Sequence, residues 1–331
     1  MFRKDDNGVA QKELCEDFTI SDDGLTYTFN LKPGTEWYCP IAMKSEFGEE
    51  FYNKFSKETV KAEDFVFAMK RAVSPETDSP GAHRLFVIEN AAEIHAGYAD
   101  ISSLGVTAPD DNTLIIRLTE ACPDFLERLT ESVFMPCNEE FFNATGGRYG
   151  LSHKHMLCNG PFYVSSWDFE TTLTIRRNNY YAGMQTVMPS LVNFDFDYNA
   201  ETVGNDISLG NVSAAFLPPD TPVPENATVV KNNPNSVFGF VFNCSDSSLK
   251  NANLRIALGS AIDRGLFAQV PDNAEPMEGF IPKNCTAGSL NYRDAVGDRT
   301  PGINYDTAAA KTFWQTALSE LGTDKIQLTV L

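Results

Sequence analysis

The chain has 331 residues, 42% hydrophobic and 11% aromatic, with 26 Lys and Arg against 45 Asp and Glu for a formal charge of −19. That apolar content suffices for folded cores and excludes a disordered tail protein. The acidity disfavours nucleic acid and anionic membrane surfaces; it either favours cationic or zwitterionic partners or serves only to keep the chain in solution.

In chain order, residues 1–34 read as the approach to one strand. Leu25, Tyr27, Phe29 and Leu31 alternate with polar residues, introduced by the turn Ser21-Asp22-Asp23-Gly24 and closed by Pro33-Gly34. Tyr38 to Ser56 reads as a Phe- and Glu-rich surface loop, with a partner-binding loop as the alternative. Ala62 to Val73 then reads as a helix, with Phe65, Ala68, Met69, Ala72 and Val73 on one face and Ser74-Pro75 at its end. Lys61 is a poor N-cap, so Thr59 or Asp64 is expected to compensate.

The loop Ser79 to Phe86 leads into an Ala-rich helix through Ala91, Ala92 and Ile94. Val106 to Leu118 reads as a β-hairpin around Pro-Asp-Asp-Asn, and Pro123 to Leu129 as a short helix. His153-x-His155 has a spacing that suits a metal on a strand, but no third ligand stands near in sequence, so two surface histidines are expected. Strands follow at Phe162–Val164, Leu173–Arg176 and Val192–Phe196, then a helix at 200–210.

Val237 to Asn243 is short, aromatic and β-branched, and reads as a buried strand. Alternation puts Phe238, Phe240 and Phe242 on one face, toward the core, leaving Gly239 and Asn243 opposite. Asn251 to Arg264 reads as a helix, with either Asn251 or Asn253 at its start and Gly265 after its end. A last helix runs through Leu318 and Leu321 to Gly322, and Ile326 opens a strand.

Seven Cys, at 15, 39, 122, 137, 158, 244 and 285, include no CxxC, so no zinc or iron–sulfur site is expected; Cys122 and Cys137 are close enough in sequence to pair, but most are expected as small buried hydrophobes. There is no G-x-S-x-G, H-E-x-x-H, P-loop or G-x-G-x-x-G. The carboxylate pairs Asp22-Asp23 and Asp110-Asp111 lie in turns, and Asp195-x-Asp197 closes a strand. The expectation is a binding protein and no enzyme, with a metal-dependent hydrolase as the alternative. The five sequons, at Asn143, Asn211, Asn226, Asn243 and Asn284, are taken as chance.

Several of these stretches together resemble the bacterial extracellular solute-binding proteins of the peptide and nickel family, family 5. They are SDDGLTYTFNLKPGTEW, NGPFYV with Trp167, RRNNYY, FGFVFNCSDSSLKNANLRIALGSAIDR and YDTAAAK. The loop at 38–56, Asn179 in place of Pro and Ser213 in place of Asp depart from the family pattern. The resemblance implies an α/β, two-lobed periplasmic-binding-protein-like fold of type II with an extra subdomain. It further implies mixed sheets flanked by helices, truncation at both ends and an incomplete second lobe. The divisions expected are a small subdomain at 1–158, the main sheet of lobe one at 159–265 and the start of lobe two at 266–331.

The function implied is the substrate-binding component of an ABC importer, a monomer without cofactor that delivers oligopeptides to membrane permease subunits and binds no nucleic acid. Alternatives are a surface interaction protein on the same scaffold and a binder of a non-peptide ligand such as a nickel chelate. Ligand contacts are expected from Gly239, Asn243, Phe238 and Phe240, with His83 and Arg84 meeting a peptide's acidic end; a solvated His and Arg on a loop is the plainer reading of the last two. The polar start Met1-Phe2-Arg3-Lys4-Asp5, read alone, suggests the cytoplasm. The resemblance implies instead an extracellular or periplasmic protein, exported by a signal that is absent from this chain and anchored as a lipoprotein.

Overall fold

The computed structural model describes residues 1–5, 8–183, 187–197, 199, 202–216, 223–230, 237–267, 276–277, 281–282, 285–287, 290–296 and 304–329. The chain divides into two units, Met1–Tyr198 and Asn199–Leu331.

The first unit opens on a hairpin of β1 (Phe2–Lys4) and β2 (Ala10–Lys12). Next come β3 (Cys15–Ile20) and β4 (Thr26–Leu31), which β5 (Val106–Thr107) and β6 (Thr113–Arg117) complete as an antiparallel sheet of order β3-β4-β6-β5. Residues 1–34 are thus four strands rather than the approach to one. The reason lies in β4, an inner strand whose two edges both need ladder partners. β3 supplies one, in register Phe18 with Phe29, and β6 the other, Phe29 with Leu114. Tyr27, Phe29 and Leu31 point into the core, as their alternation predicts, and Tyr27 meets Phe125 at 4.8 Å between ring centres. The hairpin at 106–118 forms as expected.

Residues 38–56 do not form a surface loop. They fold into α1 (Ala42–Phe47) and α2 (Glu49–Phe55), with Met43 and Phe55 fully buried. Phe47 at the end of α1 stacks on Phe51, and Phe51 and Phe55, four apart, share one side of α2. Their ring centres lie 4.5 and 4.7 Å apart, and Phe55 meets Phe141 at 5.3 Å.

The predicted helix at 62–73 is α3 (Ala62–Val73), its apolar face buried through Phe65, Met69, Ala72 and Val73. Asp64, not Thr59, compensates for Lys61: its carboxylate accepts the Lys61 N–H at 2.9 Å. α4 (Ala91–His95), α5 (Phe125–Arg128) and α6 (Glu139–Ala144) complete the helices of this unit. An antiparallel meander, β7 (Phe162–Trp167), β8 (Thr172–Arg177) and β9 (Leu191–Asp195), follows.

His153 and His155 sit on a 3₁₀ turn, and His155 is buried, against the expectation of two surface histidines. Its Nε2 lies 3.1 Å from Glu46 Oε1 and its Nδ1 2.7 Å from Ser152 Oγ. Arg148 reaches the same Glu46 at 2.8 Å and Lys154 approaches at 3.7 Å, so Glu46 ties α1 to the 148–155 segment. A buried imidazole needs partners for both ring nitrogens, and sequence spacing could not reveal one 109 residues away.

In the second unit α7 (Val203–Ser208) precedes α8 (Ala252–Ala261) and the single turn α9 (Arg264–Phe267). A two-residue pairing, β10 (Thr286–Ala287) with β11 (Leu290–Asn291), is followed by α10 (Tyr292–Val296) and α11 (Thr307–Leu321). α8 packs on α11 through Leu254, Ala257, Ala310 and Ala317. Asn251 is the cap, accepting the Leu254 N–H at 3.0 Å. Asn253 instead donates to Glu320 on α11 at 2.9 Å, beside Asn251 Nδ2 at 2.9 Å. Asp306 caps α11, and Gly322 ends it with φ 64°.

Two expected strands are absent here. Residues 237–243 and 326–329 lie outside every helix and strand. Sequence character alone does not make a strand: without a neighbouring ladder its N–H and C=O groups are left to water, and no pairing for 237–243 exists among the described residues. All seven Cys are free thiols; Cys15, Cys39, Cys122 and Cys137 are buried.

Candidate ligand-binding residues

The first group of predicted residues lies on a 3₁₀ turn of the first unit, Ala82–Leu85. Ala82 and Leu85 are buried and anchor it, so His83 and Arg84 between them face solvent. Gly81 brings the turn against the 132–134 segment, since a Cβ there would lie 3.2 Å from Val133 Cγ2. The His83 ring Nδ1 lies 3.1 Å from Pro80 O. Arg84 Nε lies 3.4 Å from Glu131 Oε2. Sequence reasoning missed Glu131, because no local spacing links positions 84 and 131. The turn therefore holds a cation whose charge is already shared with a carboxylate.

The second group lies in the second unit. Phe238 is 88% exposed and Phe240 48%, so the Phe stripe does not face the core as alternation suggested. Gly239 has a negative-φ backbone with no atom within 4 Å of where a Cβ would stand. Asn243 closes the segment as a turn: its Oδ1 accepts the Ser245 N–H at 3.0 Å and its carbonyl the Asp246 N–H at 3.0 Å. The segment offers aromatic side chains and, beside Gly239, room for another backbone to approach, the two things an extended peptide uses.

Three carboxylates that looked like paired acids serve turns. Asp23 accepts from Ser21 Oγ and Leu25 N, Asp110 from the N–H groups of Asn112 and Thr113, and Asp195 from Asp197 N. Among the described residues, no three or more His, Cys, Asp or Glu are grouped to hold a metal ion, and no helix is long and apolar enough to cross a membrane.

Comparison with known proteins agrees with this architecture. Residues 10–331 match the model for bacterial extracellular solute-binding proteins, family 5 middle. A dipeptide-binding protein of Lactococcus lactis subsp. cremoris is 26% identical over 99% of this chain and 60% of its own length. The substrate-binding domain of an oligopeptide ABC transporter from Bacillus anthracis superposes with a TM-score of 0.75 at 27% identity, covering 98% of this chain and 61% of that one. Listeria monocytogenes OppA bound to peptide gives a TM-score of 0.74 at 25% identity, with 98% and 62% covered. The chain thus spans about 60% of the length of these relatives. With the match running over nearly all of its residues, the chain belongs to the bacterial extracellular solute-binding proteins of family 5.

Proposed function

We propose that this chain is part of the substrate-binding component of an ABC importer and captures oligopeptides outside the cytoplasm for delivery to permease subunits in the membrane. The observation that carries the reading is the likeness, over 98% of the chain, to an OppA solved with peptide bound. The exposed Phe238, Phe240, Gly239 and Asn243 are proposed as ligand contacts, as are His83 and Arg84. The sheet of β7 to β9 is assigned to the main subdomain of lobe one, residues 159–265, and residues 266–331 to the start of lobe two.

The protein works by binding rather than by catalysis, as a monomer, at the cell surface as a lipoprotein or in the periplasm. Tryptophan fluorescence of the full-length gene product, titrated with tri- to pentapeptides, tests the reading. A saturable change with peptides of different sequence supports it. No change with any peptide, alongside a response to a nickel chelate, contradicts it.

A further inference from the structure

We propose that Glu131 is a specificity-determining positioning residue that sets the charge preference of the His83–Arg84 turn, turning it from acidic toward cationic and neutral peptides. The inference rests on the peptide-binding reading above and names the class of peptide. Arg84 is the permanent cation of this turn, and a free guanidinium would clamp a carboxylate with two parallel hydrogen bonds. It is not free: Glu131 Oε2 stands 3.4 Å from its Nε.

Glu131 is held for this task. It begins the 3₁₀ turn Ser132–Phe134, and its N–H donates to Arg128 O at 2.9 Å. The other cation of that segment, Arg128, pairs with Asp124 at 2.9 Å and also feels the charge of Glu131, whose Oε2 stands beside Arg84. The Gly81–Val133 contact keeps the two turns packed together. An acidic ligand group must therefore displace Glu131 from Arg84 and approach a chain of net charge −19, whereas a Lys or Arg side chain has no such pair to break and is drawn by the net negative charge.

The Arg84 and Glu131 side chains are 55% and 33% exposed, so the effect is that of a solvent-screened pair. Releasing Arg84 should change affinity by about two- to fivefold. The experiment is calorimetric titration of the full-length gene product with Ala-Lys-Ala and Ala-Asp-Ala, in wild type, Glu131→Gln, Arg84→Gln and the double variant. Wild type is expected to bind the Lys peptide more tightly. Glu131→Gln should gain about two- to fivefold for the Asp peptide and none for the Lys peptide, and the gain should vanish in the double variant. Equal changes for both peptides, or a gain that survives loss of Arg84, overturn the inference while leaving peptide binding intact. Failure of all variants to bind either peptide overturns the functional reading and this inference with it.

Discussion

The indole Nε1 of Trp37 donates to Asp64 Oδ2 at 3.2 Å, joining the end of the first predicted motif to the first turn of α3. The same carboxylate takes the Lys61 N–H at 2.9 Å and the Asn138 amide at 3.3 Å, so one buried acid ties three segments together. Removing it leaves the buried Trp37 N–H and two part-buried donors without this partner. Asp64→Ala should cost about 2–4 kcal/mol in urea unfolding, and a loss below about 0.5 kcal/mol would contradict this role.

Burial drives the Asp64 carboxyl above its ordinary 3.8, while bonds from Lys61 and Trp37 pull it back. The folded chain therefore holds this proton more tightly than the unfolded chain. Its stabilising contribution is complete below pH 3.8 and is lost as pH rises through the folded value. Wild type should gain stability relative to Asp64→Asn as pH falls from 7 toward 4, and unfolding midpoints measured across that range check the sign.

Glu46 titrates in the opposite sense. Partial burial would raise its carboxyl, but His155, Lys154 and Arg148 around it hold it below the ordinary 4.5. Its contribution is present above pH 4.5 and is lost as pH falls through the lower folded value. Glu46→Gln should lower the melting temperature at pH 7, and the gap to wild type should narrow below pH 4.5. A gap that widens on acidification would contradict the assignment.

The 38–56 helices lie over the core of the first unit and are anchored in it by Met43 and Phe55. Phe55 is 2% exposed, and Phe55→Ala should cost about 3–5 kcal/mol. A surface loop would lose almost nothing, and chemical denaturation distinguishes the two.

Legibility followed the range of the interactions involved. α3 could be read to its end residues because its apolar face, its Asp64 cap and the Ser74-Pro75 stop are all local. β4 could be read from its alternation, and Gly322 from its place after an apolar helical face. The four-residue spacing of Phe47, Phe51 and Phe55 is local as well, whereas the packing of Phe55 on Phe141 is not. β1 to β3 were not legible, since their partners decide them. Phe238 to Asn243 has the composition of a strand, yet composition cannot provide the neighbouring ladder. Arg84 and Glu131, or Glu46 and His155, are pairs that only the fold brings together.

Gly239 separates fold from function. Its surroundings leave open space for a side chain, so Gly239→Ala should leave the unfolding midpoint unchanged within about 0.5 kcal/mol. If peptide backbone passes there, Gly239→Val should weaken peptide binding at least tenfold by titration. Unchanged affinity would remove Gly239 from the site.

Native mass spectrometry of the full-length gene product tests peptide capture most directly. The account predicts co-purified short peptides that denaturation releases, with masses that report their length. A clean apo mass that persists after incubation with a mixed peptide library would contradict it.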